Sequence, residues 1–413
     1  MDSKDLAGQA ISRCRVLSGF SEEKGKLTRT FLSPPMREVH AALASWMGEL
    51  GMEVRVDGVG NVIGRYEGTK PGGKTFLIGS HVDTVKDAGK YDGPLGVMLG
   101  LALVKGLQGR RLPFALEVVA FSEEEGVRYG VPFLGSKAVT GTFDPALLKL
   151  KDSDGSTVAD AIRVFGLDPA WIPQAAYDRD KVLGYLEFHI EQGPVLESLK
   201  YPLGIVEAIV GQTRLDVAFR GKAGHAGTTP MNLRRDALAG AAEWMTLAER
   251  EARGEAGLVA TVGIIQALPG AANVIPGEVR LSLDVRHQYD EVRERLVAYI
   301  ATRAQQVAQR RDLELALSTR YEQPAVPCDE ELSYLLEDSL ETLEFPIHRL
   351  VSGAGHDAMI MAPFCPSTML FLRSPEGLSH HPDEAVWPQD VEAAVRVGLE
   401  FLRRLEAKYA DGA

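Results

Sequence analysis

The chain has 413 residues, with 45 Lys+Arg against 57 Asp+Glu and a formal net charge of −12. That balance argues against a general nucleic-acid binder, which needs a basic excess to neutralise phosphates. At 45% hydrophobic and 25% charged residues the composition is that of a folding protein, and the length exceeds the roughly 250–300 residues at which a single core stops growing, so two domains are expected.

Three cysteines, Cys14, Cys328 and Cys365, lie far apart without a Cys-x-x-Cys pairing, which suggests neither a disulfide framework nor a thiolate zinc site. Met1 to Arg15 is charged and holds no apolar segment, so no secretory signal is read there and a reducing cytoplasm is the expected location. The longest apolar stretch, Leu95 to Val104, is about half of the roughly 20 residues a membrane span requires. It reads as a buried helix, with no membrane partner expected.

Along the chain, Glu53 to Arg65 and Lys74 to Ile78 read as strands, Gly96 to Gln108 as a helix and Ala115 to Phe121 as a buried strand, an α/β pattern. Residues 151–181 are polar and broken by Pro169 and Pro173, an excursion and not a domain. Leu183 to Glu191 alternates, with Leu186, Phe188 and Ile190 on one face and Glu187, His189 and Glu191 on the other, so His189 is expected to face away from the core. Then the order changes: strand Arg214 to Arg220, helix Arg235 to Arg250, strands Leu258 to Gln266 and Glu278 to Arg286, helix Tyr289 to Arg311 and strand Leu313 to Thr319. This is the β-α-β-β-α-β, ferredoxin-like unit. Helices at Glu330 to Leu343 and Gln389 to Leu405 and a strand at Ser367 to Phe371 resume the α/β pattern. Residues 211–326 therefore read as an inserted domain, and residues 1–210 and 327–413 as one discontinuous domain.

The histidines are informative by their setting. His81 ends an apolar strand, where α/β folds build sites, although a lone histidine there is as well read as a packed loop residue. Asp92, in a Gly/Pro turn before the apolar helix, reads either as a ligand or as a helix cap. Glu123-Glu124-Glu125 reads either as a solvated acidic loop or as charges at a buried strand end that a divalent cation would compensate. With His189 and the Ser379-His380-His381-Pro382 turn, the chain holds a dispersed set of imidazoles and carboxylates suited to zinc or manganese. Gly58, Gly60 and Gly64 have the wrong spacing for a dinucleotide fingerprint, no Gly-x-Ser-x-Gly elbow is present, and no cysteine has a nucleophile-like setting. In the inserted domain, the loop from Gly221 to Pro230 lacks the spacing of a phosphate loop, and Arg286, on the polar face of its strand, reads alone as a surface salt bridge.

Together, His81-x-Asp83-Thr84, Asp92-Gly93, Glu124-Glu125-Gly126, His189-Ile190-Glu191-Gln192-Gly193 and Ser379-His380-x-Pro382 resemble the hydantoinase/carbamoylase amidases, within the wider class of dinuclear metallopeptidases and aminoacylases. The resemblance runs from about residue 25 to 405. It implies a dinuclear-metallopeptidase-like catalytic domain with an inserted lid and dimerisation domain, and two divalent ions, Zn2+ or Mn2+, per subunit. It further implies that Asp92 bridges the ions, that His81 and His189 complete one site and Glu125 and His380 the other, and that Glu124 is the general base. A slip of one residue would give these last roles to Glu123 and Glu124.

A histidine at 189, where the peptidases of the class carry a carboxylate, favours the amidase branch. Two divalent ions about 3.5–4 Å apart polarise a carbonyl and acidify a shared water, whose proton Glu124 would pass to the departing nitrogen. The resemblance also assigns Arg286 to the substrate carboxylate, His225 to the tetrahedral oxyanion and Asn273 to the polar backbone, reaching the neighbouring subunit's site in a homodimer. Gln192, Gln212 and Gly355 match further substrate contacts, whereas His356 is read as structural. The segments around Gln212, His225, Asn273 and Gly355 are most similar to allantoate amidohydrolases, which release ammonia and CO2 from a ureido arm. N-carbamoyl-L-amino-acid hydrolases share nearly all of them, ureidoglycolate and β-ureidopropionate hydrolases most; an aminoacylase, a dipeptidase or a catalytically dead relative is a more distant reading.

Overall fold

In the computed structural model, which describes residues 2–410, four apolar runs form adjacent parallel strands in the order Ala115–Phe121, Thr75–His81, Val182–Ile190 and Ser367–Leu372. Every residue of the four is buried, as expected of parallel strands covered on both faces. The alternation at 183–191 therefore does not mark a solvent face. Glu187 and His189 are as enclosed as Leu186 and Phe188, and the polar face of this central strand is an interior one.

The sheet is extended by antiparallel strands. Leu203–Ile209, not read from the sequence, pairs with Ser367–Leu372, and Val62–Tyr66 pairs with Ala115–Phe121. The single strand expected over Glu53 to Arg65 is instead a hairpin, Glu53–Val56 with Val62–Tyr66. Its turn is made by Asp57, whose Oδ1 accepts the backbone N–H groups of Val59 and Asn61 at 3.0 and 2.9 Å. Helix Pro94–Gly106 is buried from Pro94 to Val104, lies on Thr75–His81 and Val182–Ile190, and is covered by helices Ser3–Leu17 and Pro388–Lys408. No described helix is long and apolar enough to cross a membrane.

The chain divides into two units, one comprising the chain up to Glu207 and from Cys328 onward, the other Ala208–Pro327. The second unit is a four-stranded antiparallel sheet in the order Glu314–Gln323, Gly211–Arg220, Glu278–His287, Val259–Leu268, with helices Ala237–Arg253 and Asp290–Arg310 on one face. Its chain order is the β-α-β-β-α-β arrangement. Its core is centred on Trp244, which is fully buried and donates from Nε1 to the carbonyl of Ile300 at 2.9 Å. The opposite sheet face is open, because Arg214, Asp216 and Arg220 alternate with the buried Leu215, Val217 and Phe219.

One stability prediction arises from the packing of helix Met36–Glu49. His40 stands edge-on to Phe165, with ring centroids 4.9 Å apart, and burial, reinforced by Arg37, pushes its pKa down to about 4. A depressed imidazole pKa contributes stability that is present above pH 6.5 and lost as pH falls through 4. His40→Leu is expected to flatten the fall in Tm between pH 6.5 and 4; an unchanged slope would contradict this.

Candidate active site

The C-terminal ends of the parallel strands carry the chemistry. His81 is the last residue of its strand and pairs in register with Phe121, after which Glu123, Glu124 and Glu125 follow; His189 pairs with Phe371 one strand further on. Asp92 comes from the turn before Pro94–Gly106. That helix is capped by Gly93 without a side-chain hydrogen bond, so Asp92 is not a helix cap. Gly93 has φ +83°, and a Cβ there would lie 2.5 Å from the His81 ring, so both backbone conformation and space require glycine beside Asp92.

The structure brings His81, Asp92, Glu124, Glu125, His189 and His380 together. Two sets share Asp92: His81, Asp92 and His189 form one, and Asp92, Glu125 and His380 the other, with potential ligand atoms within 4.8 Å of one another in each. A third grouping joins His81 with Glu124 and Glu125. Asp92 Oδ1 is 3.2 Å from His189 Nε2 and 3.7 Å from His81 Nε2, while its Oδ2 is 3.2 Å from His380 Nε2; Glu125 Oε1 is 3.5 Å from that same nitrogen. Glu123 is fully buried and joins none of these groups among the described residues.

The histidine geometry makes this an arrangement that could hold a cation. His81 Nδ1 lies 3.1 Å from the carbonyl of Asp83, and His189 Nδ1 lies 3.0 Å from that of Ile190. A carbonyl only accepts, so both Nδ1 atoms carry hydrogen, and in the neutral ring each Nε2 presents a lone pair. Those Nε2 atoms are 3.5 Å apart and face Asp92 Oδ1, a buried oxygen without hydrogen-bond geometry to either despite its proximity. Lone pairs converging in this way repel unless a positive charge sits among them, and imidazole with carboxylate is the donor chemistry of zinc and manganese.

The electrostatics carry the same demand. Burial alone would lower the pKa of His81, but Asp83 and Asp92 outweigh it and hold the ring well above the usual imidazole range. Burial alone would raise Asp92, yet His189, His380 and His81 keep it well below the carboxylate range. Asp92 lifts His380 to about 9, against the effect of burial. Glu124 is pushed well above its ordinary value by burial, with His81 opposing and Glu125 adding to the shift, while burial and Asp92 raise Glu125 to about 7. A buried carboxyl held above its ordinary value in such a cluster is a candidate for proton transfer.

Two supporting residues carry no role that the sequence alone assigns. Asp83 accepts the backbone N–H groups of Glu124 and Glu125 at 3.0 and 3.1 Å while its Oδ1 lies 3.4 Å from His81 Nδ1, so one carboxylate aligns the histidine with the acidic loop. Its signal is a carboxylate two residues beyond a strand-end histidine. Glu384 is buried and accepts from the backbone of Tyr91 and Asp92 at 2.8 and 3.1 Å. Gln192, at φ +59°, donates from Nε2 to Asp92 Oδ2 at 2.9 Å and to Ser379 Oγ at 3.1 Å. Gly355 lies against Phe133, whose ring would be 2.9 Å from a Cβ, and His356 packs on His189 with centroids 4.4 Å apart and its Nε2 at 2.8 Å from Ser352 Oγ.

In the second unit, the sequence-predicted residues form two neighbourhoods. Gly224–His225 pairs antiparallel with Val274–Ile275, and the carbonyl of Asn273 accepts from the N–H of Ala226 at 2.9 Å, so the exposed His225 and Asn273 are neighbours. Arg286 is opposite Gln212 in register; its Nε and Nη2 bind the two oxygens of Asp284 at 2.9 and 3.0 Å, and Gln212 donates to the same carboxylate. The ion pair read from the residues alone is therefore present.

A mixed α/β sheet whose strand ends carry a His/Asp/Glu set that could hold metal is the arrangement of a hydrolase. The chain belongs to peptidase family M20/M25/M40, whose model matches residues 77–404. It is 40% identical over 432 residues to the allantoate deiminase of Arabidopsis thaliana, covering 96% of this chain and 82% of that protein. It is equally 40% identical over 393 residues to the N-carbamoyl-L-amino acid amidohydrolase of Geobacillus stearothermophilus, covering 95% of both. Among solved structures, a hydantoinase/carbamoylase family amidase from Burkholderia multivorans superimposes with a TM-score of 0.91 at 31% identity, over 96% of this chain and 97% of that one.

Proposed function

We propose that the protein is a cytoplasmic amidohydrolase that cleaves the terminal carbamoyl C–N bond of a small ureido carboxylate, with allantoate as substrate and ammonia and CO2 as products. The observation that carries this reading is the Asp92 carboxylate shared by two potential ligand sets, with Glu124 grouped beside them with His81 and Glu125. His81 and His189 would hold one divalent ion, Glu125 and His380 a second, with Asp92 common to both. Bound there, Zn2+ or Mn2+ supplies Lewis-acid activation of a ureido carbonyl, a poor electrophile because two nitrogens donate into it, and acidifies water.

Glu124 would accept the proton of the attacking water and return it to the departing nitrogen. Its neighbour Asp83 fixes the loop through backbone N–H groups, which leaves the Glu124 carboxyl to the reaction. Gln192 Oε1 is buried with no hydrogen-bond partner among the described residues, and suits an acceptor for a substrate N–H. We assign the second unit, Ala208–Pro327, as lid and dimerisation domain. His225 would stabilise the oxyanion, Asn273, Gln212 and Gly355 would hold the polar body of the substrate, and Arg286 would bind its carboxylate, all of those from the lid acting on the neighbouring subunit's substrate. A homodimer is supported by the edge strand Val259–Leu268, which exposes Val259, Ile264 and Ile265.

Nε and Nη2 of Arg286 bind the two oxygens of Asp284, which fixes the plane of the guanidinium fork. Arg286→Lys retains the charge but not the fork, so KM is expected to rise about 10- to 100-fold with a smaller change in kcat. An unchanged KM would remove Arg286 from substrate recognition. The substrate itself is tested by ammonia release from allantoate and a panel of N-carbamoyl-L-amino acids, with an N-acetyl amino acid and a dipeptide as controls. The expected result is the highest kcat/KM on allantoate. A preference for a carbamoyl amino acid would move the substrate and keep the chemistry; turnover of the controls alone would overturn the amidohydrolase reading.

A further inference from the structure

We propose that Glu384 is a positioning residue of the metal centre, clamping the Asp92 loop to the His380 turn so that the two side chains converge on one ion. This rests on the reading of Asp92 and His380 as ligands. The two are distant in sequence: Ser379 and Asp92 are 287 residues apart, and His380 stands in an irregular turn, at φ +54° and with its side chain half exposed. Nothing in the parallel sheet fixes such a turn.

Glu384 does so from behind. Its Oε1 accepts the consecutive backbone N–H groups of Tyr91 and Asp92, at 2.8 and 3.1 Å, and its Oε2 lies 3.3 Å from Ser379 Oγ, the residue next to His380. Ser379 Oγ also lies 2.9 Å from Asp92 Oδ2 and accepts from Gln192 Nε2 at 3.1 Å. One buried carboxylate thus joins the backbone of one ligand loop to the side chain that steadies the other. Space is reserved for it: a Cβ on Gly89 would lie 2.3 Å from Glu384 Cβ and Cδ and 2.4 Å from Oε1. Gly89 is not among the glycines with positive φ, so room for Glu384 is the reason for glycine there.

The test is titration of chelator-stripped full-length protein with Mn2+, read by calorimetry alongside Tm, for the wild type, Glu384→Ala, Glu384→Gln, Gly89→Ala and the Gly89/Glu384 double alanine variant. Glu384→Ala is expected to weaken the Mn2+ equivalent that His380 would hold about 10- to 100-fold, the usual effect of losing a residue that orients a ligand, and to weaken the other, which shares only Asp92 with it, by less. Glu384→Gln, which can still accept from the Tyr91 and Asp92 N–H groups, should lose less. Gly89→Ala, which displaces an intact Glu384, should reproduce the alanine effect, and the double variant should be no worse than either single. A purely packing role would lower Tm in each variant and leave both affinities unchanged, which would overturn the proposal, as would fully additive losses in the double variant. Failure of the wild type to bind Mn2+ would instead overturn the metal-centre reading beneath it.

Discussion

Glu124→Gln is expected to lower kcat for ammonia release by about 10²–10⁴-fold, the range a positioned general base supplies, while bound metal stays at the wild-type level. The substitution is nearly isosteric, and the backbone N–H of residue 124 still donates to Asp83 Oδ1, so the loop keeps its place. Only the ability to take a proton is lost. The surroundings of Glu124 favour proton transfer, because burial raises it far above an ordinary carboxylate and the nearby His81 opposes that shift. Steady-state rates measured together with metal content per chain decide the matter. Wild-type kcat in the variant would transfer the base to Glu123, whereas a loss of activity together with metal would make Glu124 a ligand, as its grouping with His81 and Glu125 allows.

Asp92→Ala should have the second largest effect. Its carboxylate belongs to both ligand sets and is held ionised by three histidines. Removing it leaves His81 and His189 with converging Nε2 lone pairs 3.5 Å apart and no anion between the sets. Both metal equivalents are expected to be lost at micromolar metal, with activity down by at least about 10³-fold, since Lewis-acid activation contributes several kcal/mol. Gly93 and not Asp92 caps helix Pro94–Gly106, so far-UV circular dichroism should be unchanged. Retention of two tightly bound ions would show that Asp92 bridges nothing.

Much of this site is legible in the sequence because parallel strands write themselves plainly. The apolar runs ending at His81 and Phe121 are buried on both faces, and the residues that follow are forced to the sheet edge, where charge must be compensated. His189 follows from the same strand logic, but its surroundings do not. Period-2 alternation looks identical whether the polar face meets water or an interior site, and here it meets the site. The ferredoxin-like order of the second unit is readable from its switching periodicity, with element ends moved by a few residues, such as Gly211–Arg220 for the expected Arg214 to Arg220.

What stays hidden acts across the chain. Asp83 and Glu384 work through backbone N–H groups of Glu124, Glu125, Tyr91 and Asp92, and a backbone donor has no sequence signature. Helix Ser3–Leu17 escapes sequence reading because half of its buried stripe of Leu6, Ala7, Ala10, Ile11, Cys14 and Leu17 is small residues set between charges. The pairing of Arg286 with Asp284 is visible as an alternation of charge along one strand face, while its use toward a substrate comes only from resemblance.

Hydrolysis that depends on the shared-Asp92 centre is the central claim, and its most direct test is reconstitution. Chelator-stripped protein is titrated with Mn2+ or Zn2+, and ammonia release from allantoate is followed against equivalents added. Activity absent at the start and saturating at two equivalents per chain is the predicted result. Full activity in the stripped protein, or no activity on any ureido carboxylate at saturating metal, would contradict it.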